Sequence, residues 1–258
     1  RFVVMAMLEF TTNPFRGAVV TTTSLPEDPQ DFRLRLNDSL EVWRQQDLLT
    51  VWLDVPITKS ALIPVAVEAG FAFHHSGDEY LLMTYKLEDH SYIPPFASHY
   101  IGAGGVVLND ANELLLVCEK YRRPGQPPFY KLPGGALLAG EHLEDAVVRE
   151  VLEETGVHAT FESLVCFRHW HGYRYGKSDI YFVCRLKALS SEISMQAEEI
   201  EECLWMPVDQ YLGSEETSVF NRSIVKAAVE SHGIVPTSID GIEGPETREF
   251  FMPDNFLG

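Results

Sequence analysis

Cysteine is scarce and scattered: Cys118, Cys166, Cys184 and Cys203 are the only four in 258 residues, and no two form a CxxC pair. Neither a disulfide framework nor a thiolate zinc site is expected, and thiols inside apolar runs such as Phe182-Val183-Cys184 read as reduced and buried. Positive charge is also short. Lys plus Arg total 20 against 38 Asp plus Glu, a formal charge of -18, which excludes the broad basic surface that duplex DNA requires. No uncharged apolar run approaches the roughly 18 residues of a membrane span. No basic segment leads into an apolar stretch and cleavage site, so neither a signal peptide nor a membrane partner is expected. Internal repeats and low-complexity tracts are missing too. What is present, 45% hydrophobic and 11% aromatic residues, is ordinary globular composition and excludes disorder as the main state. The chain reads as cytoplasmic, and a homodimer is compatible with it. If its substrate is an anion, the local field must be reversed, and a divalent cation held by carboxylates would do that.

The length suits one large domain or two modest ones. Residues up to about 95 follow a β-α-β-α-β-β pattern. Gly17 to Thr23 is β-branched, Pro26 to Gln46 has helical spacing, and Thr50 to Val55 reads as a buried strand. Ile57 to Ala69 is helical, and Phe71 to His75 with Tyr80 to Lys86 forms a hairpin. Ile93-Pro94-Pro95-Phe96-Ala97 favours an extended connector, which places a boundary between domains 1–96 and 97–258. Beyond it, Gly102 to Leu108 and Leu114 to Glu119 read as a hairpin, followed by the proline-rich loop 123–128. Strands are expected at Phe129 to Leu132, Phe161 to Arg168, Asp179 to Leu186 and Glu202 to Met206. Helices are expected at Glu141 to Thr155, stopped by Gly156 as a left-handed cap, and from about Ser218 to His232.

The chemistry concentrates in residues 135–157. At about 100° per helical residue, Glu153 and Glu154 lie roughly -60° and +40° from Glu150, so three carboxylates share one face. Val148, Val151 and Leu152 are expected on the opposite side, packed against a sheet. Like charges at these spacings destabilise a helix by a few tenths of a kcal/mol per pair unless protons or a cation offset them. All-oxygen donors without nearby cysteine favour Mg²⁺ or Mn²⁺, ions that keep waters and also bind phosphate oxygens. The turn Pro133-Gly134-Gly135 would let backbone approach the ion, with the Gly134 carbonyl as a further ligand. Glu141 and Arg149 are placed to form an ion pair.

Gly135, five residues, Glu141, seven residues, Arg149-Glu150, an aliphatic, one residue, Glu153-Glu154, one residue, Gly156 and an aliphatic resembles the Nudix box without a departure. The similarity continues in Ala97-Ser98-His99, Lys131-Leu132-Pro133-Gly134-Gly135 and Gly176-Lys177-Ser178-Asp179-Ile180-Tyr181. It also covers Val51 to Ile57 and Glu68 to His75 upstream. These segments resemble the Nudix subgroup with an N-terminal pre-Nudix domain, which includes the vertebrate fibroblast growth factor antisense-gene protein and plant ADP-ribose/NADH pyrophosphohydrolases. The resemblance implies an α/β fold, a Nudix α/β/α sandwich preceded by a smaller α/β (GNAT-like) domain. No Gly-rich acetyl-CoA loop occurs in residues 1–95, so acetyl transfer is not expected.

It further implies a pyrophosphohydrolase acting on nucleoside diphosphates linked to another moiety. Glu150, Glu153 and Glu154 would be catalytic. The same three, with Gly134, would hold Mg²⁺ or Mn²⁺, joined by one of the acidic residues around Glu198 and Glu199. Gly135, Glu141, Arg149 and Gly156 would be structural. Phe129, Tyr130, Trp170 and Tyr173 are candidates for stacking the base. Substrate cues outside the box are sparse. The proline that ADP-ribose pyrophosphatases place downstream is absent, with Gly172 and Tyr173 standing there, and the NADH pyrophosphatase array SQPWPFPxS is missing. Subgroup similarity favours ADP-ribose and/or NADH. Tyr173 and Tyr175 suit diadenosine polyphosphate or capped-nucleotide substrates instead, and a catalytically weak binding or regulatory module is the third alternative. His169 and His171 flank Trp170. Alternate strand residues point to opposite faces, so one imidazole is expected in the core, the other in the cleft, and no zinc site.

Overall fold

A computed structural model describes residues 7–122, 125 and 128–253. Most of the proline-rich loop 123–128 therefore lies outside the described residues. The chain divides into two compact units, one up to Ala97 and one from Ser98 on.

The first unit contains β1 (Phe10–Thr12), β2 (Gly17–Val20), α1 (Pro29–Gln45), β3 (Thr50–Pro56), α2 (Ile63–Glu68), β4 (Ala72–Ser76) and β5 (Tyr80–Lys86). Its sheet runs β1-β2-β3-β5-β4, with β2 and β3 parallel and the other pairs antiparallel. Asp28 caps α1 by accepting a hydrogen bond from the Asp31 amide, and Pro29 takes the first turn, where its missing N–H costs nothing. Phe32, Leu36, Leu40 and Trp43 recur at helical spacing and are buried with Val51, Leu53, Val55 and Met83. The expected order of elements is present, with β1 added. Short and half-polar, Phe10–Thr12 carries no strand signal of its own.

The second unit contains β6 (His99–Leu108), β7 (Glu113–Glu119), β8 (Tyr130–Lys131), β9 (Gly134–Ala136), α3 (Leu143–Thr155), β10 (Ala159–Trp170), β11 (Ser178–Ala188), β12 (Ile200–Pro207), α4 (Val208–Gly213), α5 (Val219–Glu230), β13 (Val235–Pro236) and β14 (Phe251–Met252). The mixed sheet runs β10-β11-β6-β7-β12, with β8 on β7 and β9 on β6. Alternation along the strands sends Ala103, Val107 and Leu115 to one face, against Leu143, Val147 and Val151 of α3. Val106, Leu114 and Leu116 go to the other, against Tyr211 of α4 and Ile224, Val225 and Ala228 of α5. Helices thus cover both faces, giving the expected α/β/α layering.

The β6–β7 hairpin differs from a simple ladder. The two strands share one register pair, Leu108 with Leu114, and then diverge. Past that point β9 pairs with Gly102 to Gly104 of β6, while β8 pairs with Val117 and Cys118 of β7. The segment Tyr130–Ala136 therefore bridges an open fork. Gly134 must be glycine here: its φ is +148°, and a Cβ would stand 2.2 Å from the Ala103 carbonyl oxygen.

α3 corrects one expectation. Leu152 is 39% exposed, whereas Glu154 is 7% exposed. The helix beds down on Leu143, Ala146, Val147 and Val151, an arc that turns Glu154 inward and Leu152 out. His142 does not cap this helix with its side chain. Glu249, far along the chain, accepts from the Leu143 amide at 2.7 Å and pairs with His142 at 2.8 Å. A carboxylate there also suits the positive end of the helix dipole.

Candidate active site

The Nudix-box side chains assemble where α3 faces the Tyr130–Ala136 segment. Arg149 is the hub. Its Nε and Nη2 donate to the two oxygens of Glu141 at 2.6 and 3.0 Å, a bidentate pair. Its Nη1 donates to Glu150 Oε1 at 2.9 Å and Glu153 Oε2 at 3.0 Å. Glu141 also accepts from the Leu138 amide at 3.0 Å. The Arg149 hydrogen bonds, aided by that amide, hold the Glu141 carboxyl below its ordinary range, and the same partners push the arginine upward. Loop 138–141 is thereby pinned to the helix.

Glu154 has a different environment. Its Oε2 accepts from the Gly134 amide at 2.8 Å, but burial dominates and pushes its pKa up to about 7. Lys131 and the Gly134 amide act against the rise, while Glu150 and Glu119 add to it. Lys131 itself pairs with Glu119 at 2.5 Å. Neither Lys131, which the sequence offers only within the segment Lys131 to Gly135, nor Glu119, which ends a strand, was given a site role, because neither sits in the box spacing. The Glu150 carboxyl rests against Gly135, where a Cβ would come within 2.6 Å of it. Among the described residues no three His, Cys, Asp or Glu side chains converge as a ready-made metal cage. Glu150 and Glu153 face Arg149, and Glu154 faces Gly134.

Glu198 and Glu199 lie exposed before β12. Their loop runs along the end of α3, where Ser194 and Gln196 donate backbone hydrogen bonds to the carbonyls of Thr155 and Glu154 at 2.8 and 3.2 Å. Gly156 ends the helix at φ +73°. The four aromatic candidates fall into two groups, and among the described residues no ring contact joins them. Trp170 and Tyr173 have ring centroids 5.5 Å apart, and Tyr100 joins Tyr173 at 6.0 Å. Arg168 lies over the Trp170 ring and is tied to Asp179 at 2.5 Å. Phe129 and Tyr130 instead line a cavity of about 150 Å³ with Met206 and Tyr211. The Tyr130 hydroxyl donates to Glu202 at 2.5 Å, and that bond leads its rise to about 12.

The two histidines depart from expectation. Both His169 and His171 are exposed, and their ring centroids lie 4.3 Å apart. The strand ends at Trp170, so strict alternation no longer applies to His171.

A description of the Nudix hydrolase domain matches residues 8–87, and one of the NUDIX domain matches residues 98–228. The chain belongs to the Nudix hydrolase family, a family of pyrophosphohydrolases. It is 41% identical over 197 residues to Nudix hydrolase 2 of Arabidopsis thaliana, covering 76% of this chain and 71% of that protein. It is 37% identical over 227 residues to Nudix hydrolase 8 of the same plant, covering 87% and 61%. It is 34% identical over 202 residues to nucleoside diphosphate-linked moiety X motif 6 of Homo sapiens, covering 77% and 63%. The subgroup resemblance is thus established for both its plant and its vertebrate branch. The chain spans under two thirds of the length of two of these three relatives. Its four cysteines are free, and among the described residues no helix is long and apolar enough to cross a membrane.

Proposed function

We propose that the chain hydrolyses the pyrophosphate bond of nucleoside diphosphates linked to another moiety in a divalent-metal-dependent reaction, with ADP-ribose and/or NADH as substrates. Residues 97–258 would carry the chemistry and residues 1–96 a separate domain. The observation that carries the reading is Glu154, a buried carboxyl raised to about 7 on the same helix as Glu150 and Glu153. A single arginine compensates the latter two. Such a set is short of positive charge, and its donors are all hard oxygens, which fits Mg²⁺ or Mn²⁺. Glu150, Glu153, Glu154 and the Gly134 carbonyl would hold the ion, with Glu198 or Glu199 as a further ligand. When bound, the ion supplies Lewis acidity that offsets charge on the pyrophosphate oxygens.

The chain's own residues do the rest. Arg149 keeps Glu141, and with it loop 138–141, against the helix. Glu153, whose side chain is 54% exposed, or Glu154 would position or deprotonate the attacking water, and where both are engaged by the ion a loop carboxylate would act instead. The water oxygen bonds to one phosphorus, the bridging P–O bond breaks, and its electron pair leaves with the other phosphate. Trp170 and Tyr173 stack the base, and Phe129 and Tyr130 flank a second, smaller recess. A diadenosine polyphosphate or capped nucleotide would use the same aromatic group, so a product assay must separate the readings.

The assay is chromatography after incubation with Mg²⁺ or Mn²⁺ and ADP-ribose, NADH, diadenosine polyphosphates or coenzyme A. ADP-ribose should yield AMP and ribose 5-phosphate in equal amounts, with oxygen from labelled water in only one of them. If wild type and Glu153→Gln give the same negligible turnover across the panel at saturating Mn²⁺, the catalytic reading fails and a binding module takes its place.

A further inference from the structure

The first unit holds a cavity of about 530 Å³ that no step of the proposed hydrolysis uses. The turn between β1 and β2 contributes Phe15 and Arg16 to its lining, the start of β3 contributes Thr50 and Trp52, and the segment after β5 contributes Tyr92. Val51, Leu53 and Val55 of β3 are buried with the α1 side chains, so strand alternation sends Thr50 and Trp52 to the opposite face of the sheet. These groups are fixed in place. Asn13 Oδ1 accepts from the amides of Phe15 and Gly17 at 3.0 and 2.8 Å, which locks the turn. The Trp52 indole donates to Thr50 Oγ1 at 3.2 Å and meets the His74 ring in a T-shaped contact with centroids 5.2 Å apart.

We propose that this cavity binds a small molecule built from a flat aromatic ring and one anionic group, a carboxylate or a phosphate. Its volume falls in the roughly 300 to 1,000 Å³ range of small-molecule sites, which pair a mostly apolar lining with a few placed polar groups. A space of that size takes one or two rings, not a helix or strand of another protein. Three aromatic side chains gather around it, and two of them, Phe15 and Tyr92, are 81% and 77% exposed. A ring sandwiched there would cover apolar surface that water now touches. Arg16 supplies the preference for an anion. It is the one charged residue of the lining in a chain whose formal charge is -18. Its Nη2 donates to the Asp47 carbonyl, a neutral partner, so among the described residues no carboxylate offsets its charge. The rest of the guanidinium fork suits a carboxylate or phosphate oxygen. The backbone of Arg16 is left-handed at φ +60°, a region that glycine occupies at far lower cost. That strain falls at the residue that brings the positive charge to the cavity, which is where a ligand contact would justify it. Hydrolysis at the carboxylate site neither requires this binding nor follows from it.

The test is calorimetric titration of the full chain in chelator, so that no ion draws a nucleotide to the carboxylate site. The probes are 2-naphthoate, its uncharged counterpart 2-naphthamide, and AMP. One equivalent of 2-naphthoate should bind, about three- to tenfold tighter than 2-naphthamide, the value of a charged hydrogen bond discounted for exposure. Arg16→Gln should abolish that difference and leave 2-naphthamide binding unchanged. Phe15→Ala and Tyr92→Ala, which remove exposed rings and nothing from the core, should each weaken both naphthalenes at least about fivefold. If AMP displaces 2-naphthoate, the ligand's anion is a nucleotide phosphate; if it does not, the site takes an aromatic carboxylate. No binding of 2-naphthoate or AMP at about 1 mM would overturn the proposal. So would equal wild-type affinity for 2-naphthoate and 2-naphthamide, a comparison that needs no variant to fold, or unchanged affinity in the Phe15→Ala, Tyr92→Ala double variant.

Discussion

Replacing Glu154 by glutamine should make the metal-free protein more stable, not less, once the pH rises above the range in which an unfolded glutamate ionises. Glu154 titrates near 7 in the fold because burial opposes its charged form, against an ordinary glutamate value near 4.3 in the unfolded chain. Between those values the folded state binds more protons than the unfolded state, so stability falls as pH rises. At 1.36 kcal/mol per tenfold, the loss begins near pH 4, is largely complete by pH 7 and amounts to about 3.7 kcal/mol by about pH 8. Glutamine keeps the shape, can still accept the Gly134 amide and has no proton to lose. Wild type and variant should therefore melt together at about pH 3.5, where the carboxyl is protonated in both states. At pH 8 in chelator the variant should melt roughly 7 to 15 °C higher, from about 2 to 4 °C per kcal/mol for a unit of this size. Mn²⁺ should reverse the ranking, since it stabilises only the chain that retains the ligand. Differential calorimetry with and without Mn²⁺ measures all of this. An equal gap between the two proteins at about pH 3.5 and pH 8 would refute the reasoning, because the buried charge would then have no cost.

Four further outcomes follow from the same geometry. Gly134→Ala, at φ +148° with its Cβ 2.2 Å from a backbone oxygen, should cost more than about 4 kcal/mol by urea unfolding. Gly140→Ala, at φ +81° in open space, should cost about 1 kcal/mol. Arg149→Lys cannot reproduce the bidentate bond to Glu141 and its reach to Glu150 and Glu153, and should lose about 1.5 to 3 kcal/mol in the same assay. Trp170→Ala should raise KM for ADP-ribose roughly 5- to 150-fold with kcat little changed, the value of one base stacked on an aromatic ring. Steady-state kinetics would show otherwise if kcat fell instead.

Much of the fold was legible because strand and helix periods are local. Thr50–Pro56, Tyr80–Lys86 and α5 came within a residue or two of their reading, since alternation, turn residues and the Ser218 cap are written next to one another. The box helix was legible in existence and in which carboxylates neighbour one another, but not in which arc of it the sheet covers. A helical wheel states that Glu150, Glu153 and Glu154 share a side; it does not say which of them the sheet will cover, and that depends on how far α3 rolls onto Val147 and Val151. β9 was hidden because Gly134–Ala136 has no β-branched or aromatic residue and packs close where Gly102, whose Cβ would stand 2.9 Å from the Gly135 carbonyl oxygen, leaves room. Long-range partners left no trace either: Glu249 reaches back to Leu143, and His99 meets His169, through folding of the whole unit.

The fork between β6 and β7 has a consequence for how the site can move. Because the two strands are bonded to each other at a single rung, the angle between them is set by the seven residues from Tyr130 to Ala136, stitched to one strand at each end. Lys131 stands at one stitch, paired with Glu119, and Gly134 at the other, holding Glu154. Width of the opening and placement of the buried carboxylate are thus a single mechanical variable, and any displacement of that short span must retune the acid and the aperture together.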